Sequence, residues 1–385
     1  MKRLVLRGIT WNHSRALPPL VASAQRFEEY HPNVRIVWEK RSLHEFGHTS
    51  LAELAKVFDL LVVDHPMMGE AADVLVNLRP MLSSAEWNDL KQDSAGPSFD
   101  SYIYNGALYA LPIDAAAPAA SCRMDLLDAA ELSIPAHWGD LLELARRGIV
   151  RMPGFSADLF LNFMGMCVTA GSSVVVEDGQ LFDRAIAANC LEQLRELASF
   201  MPEAIYNWNP IALYEQMAST DEFAYCPFAY TYSNYSRAGF AERPLRFSQP
   251  VNFPDGAPMR TVLGGTGLAI SESSLMPDIA LEYGLYVAGK TCQSTLYGVS
   301  GGQPARRSAW KNPVLNLLTD GFFERTLPSL ETAYIRPKYH GYIALQEKAG
   351  IPIASYLKNG GSPTQAVDQI DILYRESSSS KVQHA

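Results

Sequence analysis

The sequence predicts an α/β protein built as two lobes. Its 385 residues exceed what one hydrophobic core supports. Hydrophobic residues make up 48% of the chain and charged residues 19%, which are globular values. The first 66 residues also alternate strand and helix patterns in the order β-α-β-α-β, which calls for a parallel sheet with right-handed crossovers.

The elements follow in order. Residues 3–10 (RLVLRGIT) alternate apolar and polar side chains and lead into Trp11-Asn12-His13, a strand ending in a loop. Ser14 suits a helix cap and Pro18-Pro19 suit a first turn, so a helix is expected as far as Tyr30. His31-Pro32-Asn33 stops it, and VRIVWEKRSL is the second strand. A short helix over Leu51–Phe58 leads into DLLVVDHP, a buried strand with Asp64-His65-Pro66 at its carboxyl end. YNGALYALPID (104–114) reads as a hairpin with a glycine turn, and helices are expected at 138–147, 183–200 and 277–290. Tyr225–Tyr235 reads as an extended aromatic segment that places Phe228, Tyr230 and Tyr232 on one face. LGGTGLAIS (263–271) turns on glycines and continues as a strand, and GVSGGQPARRSAW (298–310) is a glycine-rich loop ending in arginines.

Ligands of open α/β sheets bind beyond the carboxyl ends of the strands. Trp11, Asn12, His13, Asp64 and His65 all fall there on the strand pattern alone. The net charge of -9 argues against nucleic acid as the main partner. Cys122, Cys167, Cys190, Cys226 and Cys292 are widely spaced without a CxxC, so buried free thiols are expected, as suits a reducing compartment. No apolar run is long enough to span a membrane. Met1-Lys2-Arg3 looks like the start of a signal peptide without its apolar core. The compartment expected is the cytoplasm, or the periplasm if a signal was removed.

Several ordered pieces together resemble the family 1 extracellular solute-binding proteins, the sugar-binding class that includes maltodextrin-binding protein. They are FEEYHPNVRIVWE, FDLLVVDHP, NGALYALPID, LGGTGLAIS, GGQPARRSAW and YIRPKYHGYIAL. The resemblance implies a periplasmic-binding-protein type II-like fold with an inter-lobe ligand cleft and hinge crossings near 111–114, 266–271 and 298–312. One lobe would take 1–112 and 267–300, the other 113–266 and 301–385. The function implied is capture of a small polar solute, a sugar or a sugar acid, by two closing lobes. The protein would be a monomer serving an ABC permease, without a cofactor. Trp11, Tyr230 and Tyr232 would stack on the ligand. His13, Asp64, His65, Asp114, Arg306 and Arg336 would bond its polar groups, with Gly265 and Gly302 offering bare backbone. Arg336, in a segment that carries aromatic ligand contacts in the family, precedes a proline and is expected to be extended.

Other motifs read differently. His44-Glu45-Phe46-Gly47-His48 fits the zinc pattern HExxH, but it follows a strand directly and Gly47 weakens a helix, so no metal site is expected. Gly264-Gly265-Thr266-Gly267 lacks the lysine of a phosphate loop and precedes a strand, so it reads as a backbone turn. The alternative to transport is a cytoplasmic enzyme on the same scaffold, with His65, Asp64 and His13 as acid–base residues, or a ligand sensor.

Overall fold

The computed structural model describes residues 3–42, 50–71, 73–175 and 179–379. Among the described residues there are ten strands: β1 Leu4–Trp11, β2 Val34–Arg41, β3 Leu60–Val63, β4 Ile103–Tyr104, β5 Ala107–Leu108, β6 Leu111–Ala116, β7 Pro118–Cys122, β8 Tyr225–Tyr230, β9 Arg246–Ser248 and β10 Gly264–Ile270. They form a five-stranded sheet in the order β2-β1-β3-β10-β6, a three-stranded sheet in the order β8-β7-β9, and the hairpin β4-β5.

Contacts divide the chain into two units. Unit 1 comprises Met1–Ala116 and Gly264–Leu327, and unit 2 comprises Ala117–Leu263 and Pro328–Ala385. The chain therefore passes from one unit to the other three times: after Ala116, after Leu263 and after Leu327.

Unit 1 holds the five-stranded sheet. β1 runs parallel to β2 from Leu4↔Val34 to Trp11↔Arg41, and parallel to β3. β3 is the most buried strand, with Leu60, Leu61, Val62 and Val63 all at 0% exposure, which explains its unbroken apolar run. β10 then enters antiparallel to both β3 and β6, so the sheet is mixed. At the tip of β4-β5, Asn105 and Gly106 both take positive φ, as a tight two-residue hairpin requires.

Two sequence expectations are corrected here. Residues 114–116 and 264–266 pair with each other as rungs of the first sheet instead of opening and closing the 113–266 stretch of the second lobe. Residues 301–327 also belong to unit 1, because their buried polar groups bond there: the Gln303 amide donates to the Ala115 carbonyl at 3.0 Å, and the Ala305 N–H donates to Gln293 Oε1 at 2.7 Å. The third crossing thus comes at Leu327/Pro328, inside the helix Phe322–Glu331, and not within 298–312.

Unit 2 packs its small sheet against the helix Ser156–Thr169, which packs in turn on Arg184–Ala198 and Tyr342–Asn359, and Pro363–Ser379 packs on those two. Its core is dense in Leu, Phe and Met, including Phe160, Phe163, Met164 and Phe182 at 0% exposure. The five cysteines are all buried, and none is in a disulfide. Among the described residues no helix is long and apolar enough to cross a membrane.

Gly265 sits at the β10–β6 junction with φ +100, and a Cβ there would lie 2.3 Å from the Asp114 carbonyl oxygen. Gly265→Ala is therefore expected to lower stability by about 1–3 kcal/mol through backbone strain and loss of the rung. Gly139→Ala, in the helix Trp138–Arg146 where a Cβ meets nothing within 4 Å, should hold stability or raise it by up to about 1 kcal/mol and serves as the control.

Candidate functional site

In unit 1 the carboxyl edge of the five-stranded sheet gathers the residues expected at a ligand. After β1 the chain turns tightly, with the Ala16 and Leu17 N–H groups both donating to the His13 carbonyl. That turn brings the Arg15 side chain over β6. Its Nε donates to one Asp114 oxygen at 2.9 Å and its Nη2 to the other, a bidentate ion pair with the aspartate side chain fully buried. Burial pushes the Asp114 carboxyl up, and Arg15 opposes that shift.

The same turn fixes His13. The Arg15 backbone N–H donates to His13 Nδ1 at 2.9 Å, so the proton of the neutral ring belongs on Nε2. Burial, reinforced by the Arg15 charge, lowers the ring's pKa from 6.5 to about 4. His13 is thus a neutral Nε2–H donor at physiological pH. A ring with so low a pKa is a weak base at neutral pH.

At the end of β3, Asp64 accepts from the His65 N–H at 2.9 Å and caps the short turn His65–Met67. His65 itself is completely buried, edge-on to Tyr102 with centroids 6.3 Å apart. Trp11 is 5% exposed. The buried hydroxyls of Thr10 and Thr266, on β1 and β10, have no hydrogen-bond partner among the described residues. Sequence reasoning did not single them out, because a threonine in a strand usually signals only strand propensity.

The arginine loop has a different role from the one expected. Arg306 is buried; its Nε donates to the Ala288 carbonyl and its Nη1 to the Asp89 carbonyl, both at 2.6 Å, and its Nη2 meets the Asp89 carboxylate at 3.0 Å. It staples three segments of unit 1 and is not available as a fork for solute. A Cβ on Gly302 would lie 2.3 Å from the Tyr297 ring, so that glycine serves packing.

In unit 2, two expected residues converge. The Tyr230 hydroxyl donates to the Leu263 carbonyl at 3.4 Å, and Arg336 Nε donates to the same oxygen at 3.1 Å. Arg336 also bonds Gln346 at 3.0 Å. Tyr230 is half-buried, whereas Phe228 lies in the core. Tyr232 is not on their strand. β8 ends at Tyr230, and Tyr232 precedes the turn Ser233–Ser236 with its ring edge-on to Tyr214.

Asp158 was not expected. It lies half-buried in the first turn of Ser156–Thr169, and burial alone raises its pKa to about 7. Nothing in the sequence marks it, since an acidic residue at that helical position is ordinary. Among the described residues no three His, Cys, Asp or Glu side chains gather as a metal set, and the HEFGH segment lies outside the described residues.

Comparison with known proteins gives the family and the fold. A family model described as bacterial extracellular solute-binding protein matches residues 10–283. Among solved structures, maltose-bound MalE3 of T. maritima superposes with a TM-score of 0.83 at 18% identity, covering 97% of this chain and 99% of that one. A ribitol complex of an ABC transporter solute-binding protein from Agrobacterium radiobacter K84 gives 0.79 at 18% identity, over 98% and 99%. The sugar-binding protein MalE of Xanthomonas citri gives 0.78 at 17% identity, over 98% of each chain. These likenesses show a shared two-lobed α/β fold. A search of curated proteins returns no match.

The two shifted groups predict opposite pH slopes. Below 6.5 the unfolded chain protonates His13 while the folded chain resists until about 4, so this residue makes stability fall as pH drops through that window. Asp158 keeps its proton up to about 7 when folded but only to 3.8 when unfolded, so it makes stability fall as pH rises between those values. Urea titrations across pH 4–8 should show His13→Asn flattening the acid-side loss and Asp158→Asn raising stability above pH 7, each by about 1–3 kcal/mol.

Proposed function

Since the chain belongs to the bacterial extracellular solute-binding family, we propose that it is the solute-binding component of an ABC-type uptake system and that its solute is a neutral sugar or polyol. The observation that carries this reading is the charge state of the unit 1 edge. Arg15 is neutralised by Asp114, Arg306 is spent on Asp89 and two carbonyls, and His13 is a neutral donor. Around them the edge carries the buried Thr10 and Thr266 hydroxyls, which have no partner among the described residues, together with the His13 ring, the half-buried Asp64 carboxylate and, at the end of β2, the buried Arg41. The two strand hydroxyls suit the hydroxyl groups of a solute, whose desolvation is repaid by individual neutral bonds. The sugar-acid alternative loses Arg306 as its anchor.

We propose further that the solute closes the two units on itself, since only contacts made in a closed state can drive closure. An ABC permease would then be the partner, and the working compartment would be the extracellular side of the membrane, as the family's description indicates.

Thermal shift with maltose, ribitol, D-mannitol and D-tagatose tests the reading. At least one should raise the melting temperature by several degrees at saturating concentration and be recovered unchanged, consistent with binding free energy added to the folded state. Shifts produced only by galacturonate or citrate would point to a carboxylate solute instead, and consumption of the compound would point to an enzyme.

A further inference from the structure

A small pocket in unit 2 remains outside the site described so far. It offers about 10 Å³ of space, close to what one water-sized group occupies. Pro118, Phe228, Gly165 and Val262 form apolar walls, and Asn162 and Thr261 supply its polar atoms. Thr261 is 4% exposed, and its hydroxyl has no hydrogen-bond partner among the described residues. Asn162 is 8% exposed and carries a donor and an acceptor on one amide. No charged side chain lines the pocket.

Its place in the fold connects it to the candidate site. Pro118 pairs with Tyr230 across β7 and β8, and Val262 precedes Leu263, whose carbonyl receives both Tyr230 and Arg336. The walls are also held firmly. The Arg260 N–H donates to Thr169 Oγ1 at 2.8 Å, and a Cβ on Gly165 would lie only 3.1 Å from the Arg260 carbonyl, so the extended segment before β10 runs close against the helix Ser156–Thr169.

We propose that this pocket seats a single hydroxyl of the solute, bonded by Thr261 and Asn162, and that it selects a neutral hydroxyl over a carboxylate at that position. The inference rests on the sugar or polyol reading above and adds a specificity determinant to it. A lone hydroxyl matches the pocket in size and satisfies the orphaned Thr261 oxygen. A carboxylate is too large, and it would lose its hydration against apolar walls with no cation to replace it.

Calorimetry with maltose, ribitol, D-mannitol and D-tagatose, on the parent, Thr261→Val and Asn162→Leu, decides the matter. For any of these that the parent binds, both variants should bind at least tenfold more weakly. Thr261→Val should keep or raise the solute-free melting temperature, because it removes a hydroxyl that bonds nothing; a merely structural role would lower it. Variants that bind as tightly as the parent would overturn the pocket assignment and leave the transport reading standing. A parent that binds none of the four would overturn both.

Discussion

The ion pair between Arg15 and Asp114 is the constraint on which the unit 1 site depends. Asp114 lies on β6, the last strand of the sheet in space, and Arg15 belongs to the turn after β1. Their bond ties the two across the sheet's carboxyl edge. It also decides what the edge can recognise. A free arginine there would favour anions; under the proposed reading, one occupied by a buried carboxylate leaves the strand hydroxyls of Thr10 and Thr266 for the solute. The His13 tautomer follows from the same turn, because the N–H that occupies Nδ1 belongs to Arg15. Gly265 completes the arrangement by allowing β10 to approach the Asp114 carbonyl as no residue with a Cβ could.

Unit 2 follows a different plan. Its polar groups converge on a backbone atom, the Leu263 carbonyl, one residue before the chain leaves for unit 1. Tyr230 and Arg336 therefore hold the backbone at a crossing. Asp158 adds a carboxyl whose proton is held near neutrality by burial alone, so its charge state responds to whatever donor approaches it.

Much of unit 1 was legible in the sequence because periodic patterns dictate it. The alternation of RLVLRGIT, the Pro18-Pro19 start and the apolar run LLVV each imply one element, and strand ends then place Trp11, His13, Asp64 and His65 together. What escaped depends on partners distant in sequence. Arg306 looked like a ligand fork because its three acceptors, at Ala288 and Asp89, cannot be read from a glycine-rich loop. The lobe boundary failed for the same reason: Gln303 is joined to Ala115 by a bond across 188 positions. Tyr232 was misplaced by one local event, the end of β8 at Tyr230, after which strand alternation no longer applies. Thr261 and Asn162 carry no sequence signal at all, since only a pocket gives them meaning.

The most direct test of the central role given to Arg15 and Asp114 is a double-mutant cycle measured by denaturant unfolding at pH 7. Arg15→Met should cost about 3–5 kcal/mol, because it strands a buried carboxylate, and adding Asp114→Leu should recover at least half of that loss. A single variant that costs less than about 1 kcal/mol, or a double variant whose loss equals the sum of the two singles, would contradict the claim that this pair organises the site.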